Sequence, residues 1–554
     1  MTTPRRRPPD PMLPLEQHLS PPHHTVPQMC ASALATDPDA EVIHAFDRRW
    51  TYAEVDAEAH RLARALAGTG VAAGDRVALF VQNDPIFVTG LLATWKLGAI
   101  GVPINPMNTG RELAFQLEDS AAVALIALPG LWTQVAQQVV ADGIGDVRLV
   151  ILAPHTAWRQ TGEQFETSAV PVPPELLGRV GSAEVVSADA LPHGSDYRPA
   201  AVCADDVALL TYTSGTTGRP KGAMNTHGNL TFNAETYVQM SALQPGEPIL
   251  AIAPLFHITG MVGHVLLGLR VGAPIVLSHR FHPQVMLESM RHSRSVFTIG
   301  AITALMALAD CPAATAADFA SLRTIYSGGA PIAPALADRL EGIFGTYVHN
   351  VYGMSETSSP THLVPRGQRA PVDPVSGALS VGRPVYDTQV RIADEQRADV
   401  QAGTYGEILV RGPQITPGYW NRPDAIAESF ADGWLRTGDI GFVDADGWYY
   451  LVDRKKDMIN ASGYKVWPRE VEDVLYTHPA VAEAAVVGAA DAYRGETVIA
   501  FVTLHEGRTV TPGELIDFCK ADLAAYKYPR SIEILDEMPK TATGKILRRK
   551  LRGT

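Results

Sequence analysis

The feature that most constrains this chain is a repeated alternation of short apolar runs with helical stretches. Arg76 to Val81, Ala121 to Leu128 and Val147 to Leu152 read as apolar strands, each separated from the next by a helical stretch. Upstream, Val42-Ile43-His44-Ala45-Phe46 reads as a strand, Asp47-Arg48-Arg49 as a turn and Thr51 to Ala67 as a helix. Thr51 and Glu54 have capping-box spacing, and Tyr52, Val55, Leu62 and Leu66 fall near one helical face. Strands that alternate with helices imply layered α/β structure with largely parallel sheets. The alternation lapses at residues 154 to 200, which read as an irregular surface connection, then resumes from Val207 to about Val385.

A β-rich segment follows, with strands expected at 389–392, 406–411 and 447–452. Beyond Asp453-Arg454-Lys455-Lys456-Asp457 a compact α+β unit can be drawn. It has helices over 468–476 and 512–523 and strands over 484–487, 498–504 and 531–535. Thr511, Pro512 and Glu514 make a helix start with proline at its first position. The expected organisation is a disordered Pro-rich extension (1–27), a large domain (28–452), a hinge (453–457) and a small mobile domain (458–554).

Composition narrows the function classes. A chain of 554 residues exceeds what one core serves, and 46% hydrophobic with 19% charged residues suits a globular protein. The net charge of -13 argues against a general nucleic-acid-binding surface, though not against a local basic site for an anion. Cys30, Cys203, Cys311 and Cys519 are too scattered for a CxxC motif and read as reduced thiols of a cytoplasmic protein. Arg5-Arg6-Arg7 is followed by no apolar h-region, so no secretory signal is expected. No uncharged apolar run reaches roughly 18 residues, so no membrane span is expected, while peripheral contact with lipid is left open.

Chemistry first shows at Thr213-Ser214-Gly215-Thr216-Thr217-Gly218-Arg219-Pro220-Lys221-Gly222, directly after the apolar run Val207 to Leu210. Glycines let backbone N–H groups approach phosphate oxygens, hydroxyls donate to them and Lys221 adds charge. The spacing is not that of a Walker loop, which needs four residues between its glycines and a hydroxyl residue after the lysine. An ordinary Gly/Thr turn between a strand and a helix is the competing reading. Further motifs follow in order: Ala253-Pro254-Leu255-Phe256-His257-Ile258-Thr259-Gly260, Ser327-Gly328-Gly329-Ala330-Pro331 and Asn350-Val351-Tyr352-Gly353-Met354-Ser355-Glu356-Thr357. Gly433 to Gly441, the 453–457 segment and Pro539-Lys540-Thr541-Ala542-Thr543-Gly544-Lys545-Ile546 complete the series.

Together these motifs resemble those of the adenylate-forming superfamily, in particular its acyl-CoA synthetases, over about residues 40 to 550. The resemblance implies ATP binding by Thr213, Ser214, Gly215, Thr216, Thr217, Gly218 and Lys221. It further implies Gly329 and Ala330 as one wall for adenine, Asn350, Tyr352 and Gly353 at the base, and Ser355 at the α-phosphate. Asp439 would accept the ribose hydroxyls, which suits a carboxylate's two oxygens, and Arg454 would reach the ribose or phosphate. Glu356 is implied to hold Mg²⁺ with Thr213 nearby, in keeping with that ion's preference for oxygen ligands. Lys545 is implied as the catalytic cation bridging the substrate carboxylate and ATP, and Lys456 as the hinge residue. Phe256, His257, Gly260, Met261 and Met354 would line the acyl pocket, while Ser462, Gly463 and Tyr464 would line a tunnel for coenzyme A. His257 is expected to shape carboxylate entry and not to act as a base, because a carboxylate is already ionised at neutral pH.

Amino-acid-activating relatives place an acidic residue in the pocket. Between Glu247 and Asp310 only Glu288 is acidic, and Phe256 to Leu269 is apolar apart from His257, Thr259 and His264. The expected substrate is therefore a neutral aliphatic or aromatic carboxylic acid, with a fatty acid in first place. No carrier-protein segment follows Lys545, so free CoA is the expected acceptor. Two alternatives stay open: delivery of the acyl-adenylate to a carrier protein or other nucleophile, and a catalytically silent binding protein on the same scaffold. A homodimer is also left open.

Overall fold

The computed structural model describes residues 18–161, 164–192, 197–213, 219–454, 457–461, 464–491, 495–541 and 545–552. Two large sheets dominate it. One has eight strands and is parallel through its middle, with antiparallel pairs at both ends. The other has nine strands, parallel from Glu41–Ala45 to Val348–Met354 and antiparallel beyond them on each side. Both sheets carry helices on both faces, as parallel strands require.

The layers are α–β–α–β–α. Helices Tyr52–Gly68, Pro85–Lys96 and His227–Ser241 fill the space between the sheets and share one core with Leu79 and Ile126 of one sheet and Ile275 and Ile299 of the other. Trp95 is buried there, its indole N–H donating to the Ala208 carbonyl at 2.9 Å. Thr51 and Glu54 form the expected reciprocal cap, a device of about 1 kcal/mol. The outer faces have their own cores, around Trp132 and Leu125 on one sheet and Ile325 and Leu340 on the other.

A five-stranded sheet follows, made of Gln389–Ala393, Gly406–Arg411, Phe430–Ala431, Trp434–Val443 and Tyr449–Arg454. After it, helices Pro468–Tyr476 and Pro512–Asp522 cover a second five-stranded sheet that includes Val481–Asp491 and Gly495–Leu504.

Two regions differ from the sequence reading. Among the described residues of 154 to 200, His155–Thr161 pairs with Gln164–Val170, and Gly178–Val180 and Ala183–Ser187 extend the eight-stranded sheet. These strands are short or mostly polar along their length, so they carry little apolar signal. The end of the Pro-rich extension is docked, since Leu19 N–H donates to Asp387 at 2.9 Å and the helix Val26–Thr36 begins within it. Proline at the first turn, with Thr25 as cap, starts that helix. All four cysteines are free thiols, and among the described residues no helix is long and apolar enough to cross a membrane.

Candidate active site

Three parallel strands of the nine-stranded sheet, Phe297–Gly300, Thr324–Gly328 and Val348–Met354, end side by side. The carboxyl ends of parallel strands are where α/β sheets leave a crevice. Gly329 follows the second strand at φ +83°, and the turn Ser355–Thr357 follows the third and carries Glu356. At Gly353 only glycine fits, because a Cβ there would lie 1.9 Å from the Ser359 carbonyl oxygen. Ser358 and Ser359 take φ of +49° and +96°, a conformation that non-glycine residues hold only when their surroundings impose it.

The surroundings do impose it. Asn225 donates to the Ser355 carbonyl at 2.9 Å and to Ser358 Oγ at 2.8 Å, while its own oxygen accepts from Thr211. Asn233 donates to the Thr357 and Ser358 carbonyls at 3.0 and 2.7 Å, and the Tyr237 and Ser359 hydroxyls share a hydrogen bond of 3.0 Å. Asn225, Asn233 and Tyr237 thus fasten the Glu356 turn, and no motif in the sequence marks them.

Thr213 and Lys221 face each other at the ends of two antiparallel strands, with Thr213 Oγ1 donating to the Lys221 carbonyl at 3.4 Å. The glycine-rich segment therefore lies between two strands, and the helix His227–Ser241 starts only after the second. Its central residues Ser214, Gly215, Thr216, Thr217 and Gly218 lie outside the described residues. Tyr419, another residue without a motif signal, ties this segment to the acidic turn. Its ring lies 5.1 Å from Lys221 Nζ, and its hydroxyl donates to Glu356 Oε1 at 2.7 Å. Among the described residues no group of three His, Cys, Asp or Glu could hold a metal alone. Glu356 and Thr213 offer oxygen donors only, a set that fits a small hard cation sharing its remaining positions with phosphate and water.

Tyr352 and Asp439 meet directly: the phenol donates to Asp439 Oδ2 at 2.7 Å, and both residues are buried. Thr437 Oγ1 accepts from the Asp439 N–H at 3.1 Å, and Asp439 pairs in register with Arg454, whose side chain lies outside the described set. Asn350 is buried and its amide nitrogen donates to the Ser380 carbonyl at 3.2 Å. Met354, half-buried, packs against the cluster of Ile392, Ile408, Val410 and Leu435 in the five-stranded sheet. The strand register shifts between Tyr352 and Gly353, and an irregularity of that kind re-aims the side chains after it. Ala330 packs against the outer core around Ile325 and Leu340.

Asn83 shapes the His257 segment from across the sheets, accepting from the Leu255 N–H at 2.9 Å. Phe256 packs on the central core, Met261 is buried in it, and Gly260 lies so close to Pro254 that a Cβ would sit 2.2 Å from its carbonyl oxygen. His257 Nδ1 accepts from the Thr259 N–H at 3.3 Å, which leaves the ring proton on Nε2. Burial first, and the Lys545 charge second, push its pKa down to about 3. His264, in a π-helical turn, accepts from the Ala253 N–H at 3.1 Å and is pushed down to about 3 by burial, so neither imidazole is charged near neutral pH.

Lys545 comes to this site from the C-terminal unit. A Cβ on Gly329 would lie 3.0 Å from its Cε and 3.7 Å from its Nζ. Thr541 holds the lysine backbone in two bonds, Oγ1 accepting from Lys545 N–H at 3.0 Å and its own N–H donating to the Lys545 carbonyl at 2.7 Å. Lys456, Ser462, Gly463 and the Tyr464 side chain lie outside the described residues.

Comparisons with known proteins find similarity along nearly the whole chain. The family model described as AMP-binding enzyme matches residues 30–420, and that of the AMP-binding enzyme C-terminal domain matches 470–545. A long-chain-fatty-acid–CoA ligase from Bacillus subtilis is 33% identical over 545 residues, covering 96% of this chain and 94% of its own. A feruloyl-CoA synthase from an Amycolatopsis species is 37% identical over 502 residues, covering 91% and 93%. The solved structure of an anthranilate CoA ligase in complex with anthranoyl-AMP superposes with a TM-score of 0.83 at 28% identity, covering 97% of each chain. A chain with these matches along nearly its whole length belongs to the AMP-binding enzyme family, as an AMP-forming acid–CoA ligase.

Proposed function

We propose that the protein activates a neutral aliphatic or aromatic carboxylic acid, a fatty acid in first place, and transfers it to coenzyme A in the cytoplasm. The observation that carries the two-step reading is the approach of Lys545, from the C-terminal unit, to Gly329 and His257. In the first step a carboxylate oxygen attacks the α-phosphorus of ATP, a P–O bond forms, and the bond to pyrophosphate breaks. Two anions must meet for this, so the site's task is to supply cations and donors where charge builds up. Lys545 would neutralise the approaching carboxylate and the α-phosphate, and neutral His257 would offer its Nε2–H to the carboxylate.

Thr213, Ser214 to Gly218 and Lys221 would grip the departing pyrophosphate, and Ser355 the α-phosphate. Gly329 and Tyr352 would enclose adenine, while Asp439 and Arg454 would take the ribose. Mg²⁺, when bound, would supply charge neutralisation between phosphates; Glu356, oriented by Tyr419, and Thr213 would hold it. In the second step the C-terminal unit would turn about Lys456 and present Ser462, Gly463 and Tyr464 to coenzyme A. The thiol sulfur attacks the acyl carbon and loses its proton, the C–O bond to phosphate breaks, and AMP leaves.

The uncharged wall of Phe256, Met261 and neutral His264 supports a neutral acid, as do relatives named for a long-chain fatty acid and for ferulate. A panel of carboxylic acids in an ATP–pyrophosphate exchange assay, with product analysis with and without CoA, tests the proposal. Exchange with a hydrophobic acid and CoA-dependent thioester are expected. Exchange without thioester would move the acceptor to a carrier protein or another nucleophile, and no exchange with any acid would overturn the reading.

A further inference from the structure

The contacts that seat the C-terminal unit converge on one residue. Arg469 is the second residue of the helix Pro468–Tyr476 and is 6% exposed. Its backbone N–H donates to Asp453 Oδ2 at 3.1 Å, which puts a carboxylate from the end of the preceding sheet at a helix N-terminus. Its guanidinium Nη2 donates to the Ile332 carbonyl at 3.2 Å, while Nε is held by Asp473 Oδ2 at 3.1 Å. Ile332 lies three positions after Gly329, the residue that Lys545 faces. One arginine therefore ties the C-terminal unit both to the entrance of the 453–457 segment and to the loop at which the lysine arrives.

Two neighbours reinforce this seat. Trp467 packs against the cluster of Ala378, Ile440, Phe442, Tyr450 and Val452 on the large domain. Arg548, three positions after Lys545, is 3.6 Å from Asp453 Oδ1 and 2.7 Å from both Glu472 oxygens. The Asp453 side chain is only 3% exposed, and a buried carboxylate is costly unless cations and donors surround it. Here Arg469 and Arg548 provide them from the C-terminal unit, and they do so in the arrangement that brings Lys545 to Gly329.

From this we infer that Arg469 is a positioning residue for the adenylation half-reaction: with its backbone N–H on Asp453, its guanidinium docks on the Ile332 carbonyl and holds the C-terminal unit where Lys545 reaches the substrate carboxylate and ATP. It touches neither reacting group. The inference rests on the two-step reading and assigns to one arginine the bias between its two arrangements.

The test measures each half-reaction separately in the full-length protein. For Arg469→Gln, the kcat of acid-dependent pyrophosphate exchange is expected to fall roughly 10- to 100-fold, the cost of a displaced catalytic group, with KM for ATP and acid nearly unchanged. Thioester formation from supplied acyl-adenylate and CoA is expected to stay within about twofold of wild type. Trp467→Ala, which strands no charge, is expected to shift the same ratio in the same direction and guards against a folding defect in the arginine variant. Equal loss of both half-reactions in both variants, or unchanged exchange in Arg469→Gln, would overturn the docking role. The wild type run alongside separates the two levels: if it is inactive with every acid, the two-step reading falls as well, and if it is active, only the docking role is at stake.

Discussion

The two halves of the active site are built differently. Glu356, Tyr352 and Asp439 stand at strand ends inside the large domain, fastened by Asn225, Asn233, Tyr237, Tyr419 and Thr437. Lys545 reaches the same place from a separate unit whose seating on the large domain includes Arg469, Trp467 and Arg548. On the proposed reading, the groups that would hold nucleotide throughout are fixed by side-chain hydrogen bonds and close packing. The group proposed for one half-reaction is carried on contacts between two units of the chain. A site divided in this way can serve two reactions at one carbon without rebuilding its nucleotide pocket.

The largest test of that division is Lys545→Ala. Adenylation, measured by pyrophosphate exchange, is expected to fall by roughly 10²- to 10³-fold, as for loss of one charge-stabilising donor. Thioester formation from supplied acyl-adenylate is expected to survive, and equal loss of both would contradict the division.

Gly353→Ala probes the fixed half. Its Cβ would overlap the Ser359 carbonyl and push apart the turn that carries Glu356. Overpacking of this kind costs about 1–3 kcal/mol, to be read from urea midpoints, and both half-reactions are expected to fall together. A selective loss of adenylation would mean that the turn serves only the first step.

Tyr419→Phe should have the smallest effect. It keeps the ring beside Lys221 and removes only the hydrogen bond to Glu356, leaving the packing intact. The expected result is a higher Mg²⁺ concentration for half-maximal exchange with little change in thermal midpoint. An unchanged Mg²⁺ dependence would remove Tyr419 from the phosphate end of the site.

Much of the fold was legible because it depends on local pattern. The helix from Tyr52 with its Thr51 cap, the strand at Arg76, and the helices at Pro468 and Pro512 lie within a residue or two of their expected ranges. The strands within 154–200 escape a sequence reading because they are short or mostly polar and carry little apolar signal. In the site, the glycine-rich and acidic motifs stood out as strings. Asn225, Asn233 and Tyr419 did not, since each acts through a partner more than 60 positions away in the chain. The bond from the Asn350 amide to the Ser380 carbonyl was likewise invisible, since folding brings the two together from 30 positions apart.

The sequence by itself determined the layered α/β class, the order of the motifs and the residue types able to bind an anionic nucleotide. Those follow from hydrophobic periodicity, turn chemistry and side-chain charge, which act over a few residues. Only the tertiary structure decided that Tyr352 donates to Asp439, that Gly353 must lack a side chain, that Met354 faces the five-stranded sheet and that Lys545 lies against Gly329. Each of these depends on how separate strands and two units of the chain approach one another in space, and a local pattern carries no measure of that distance.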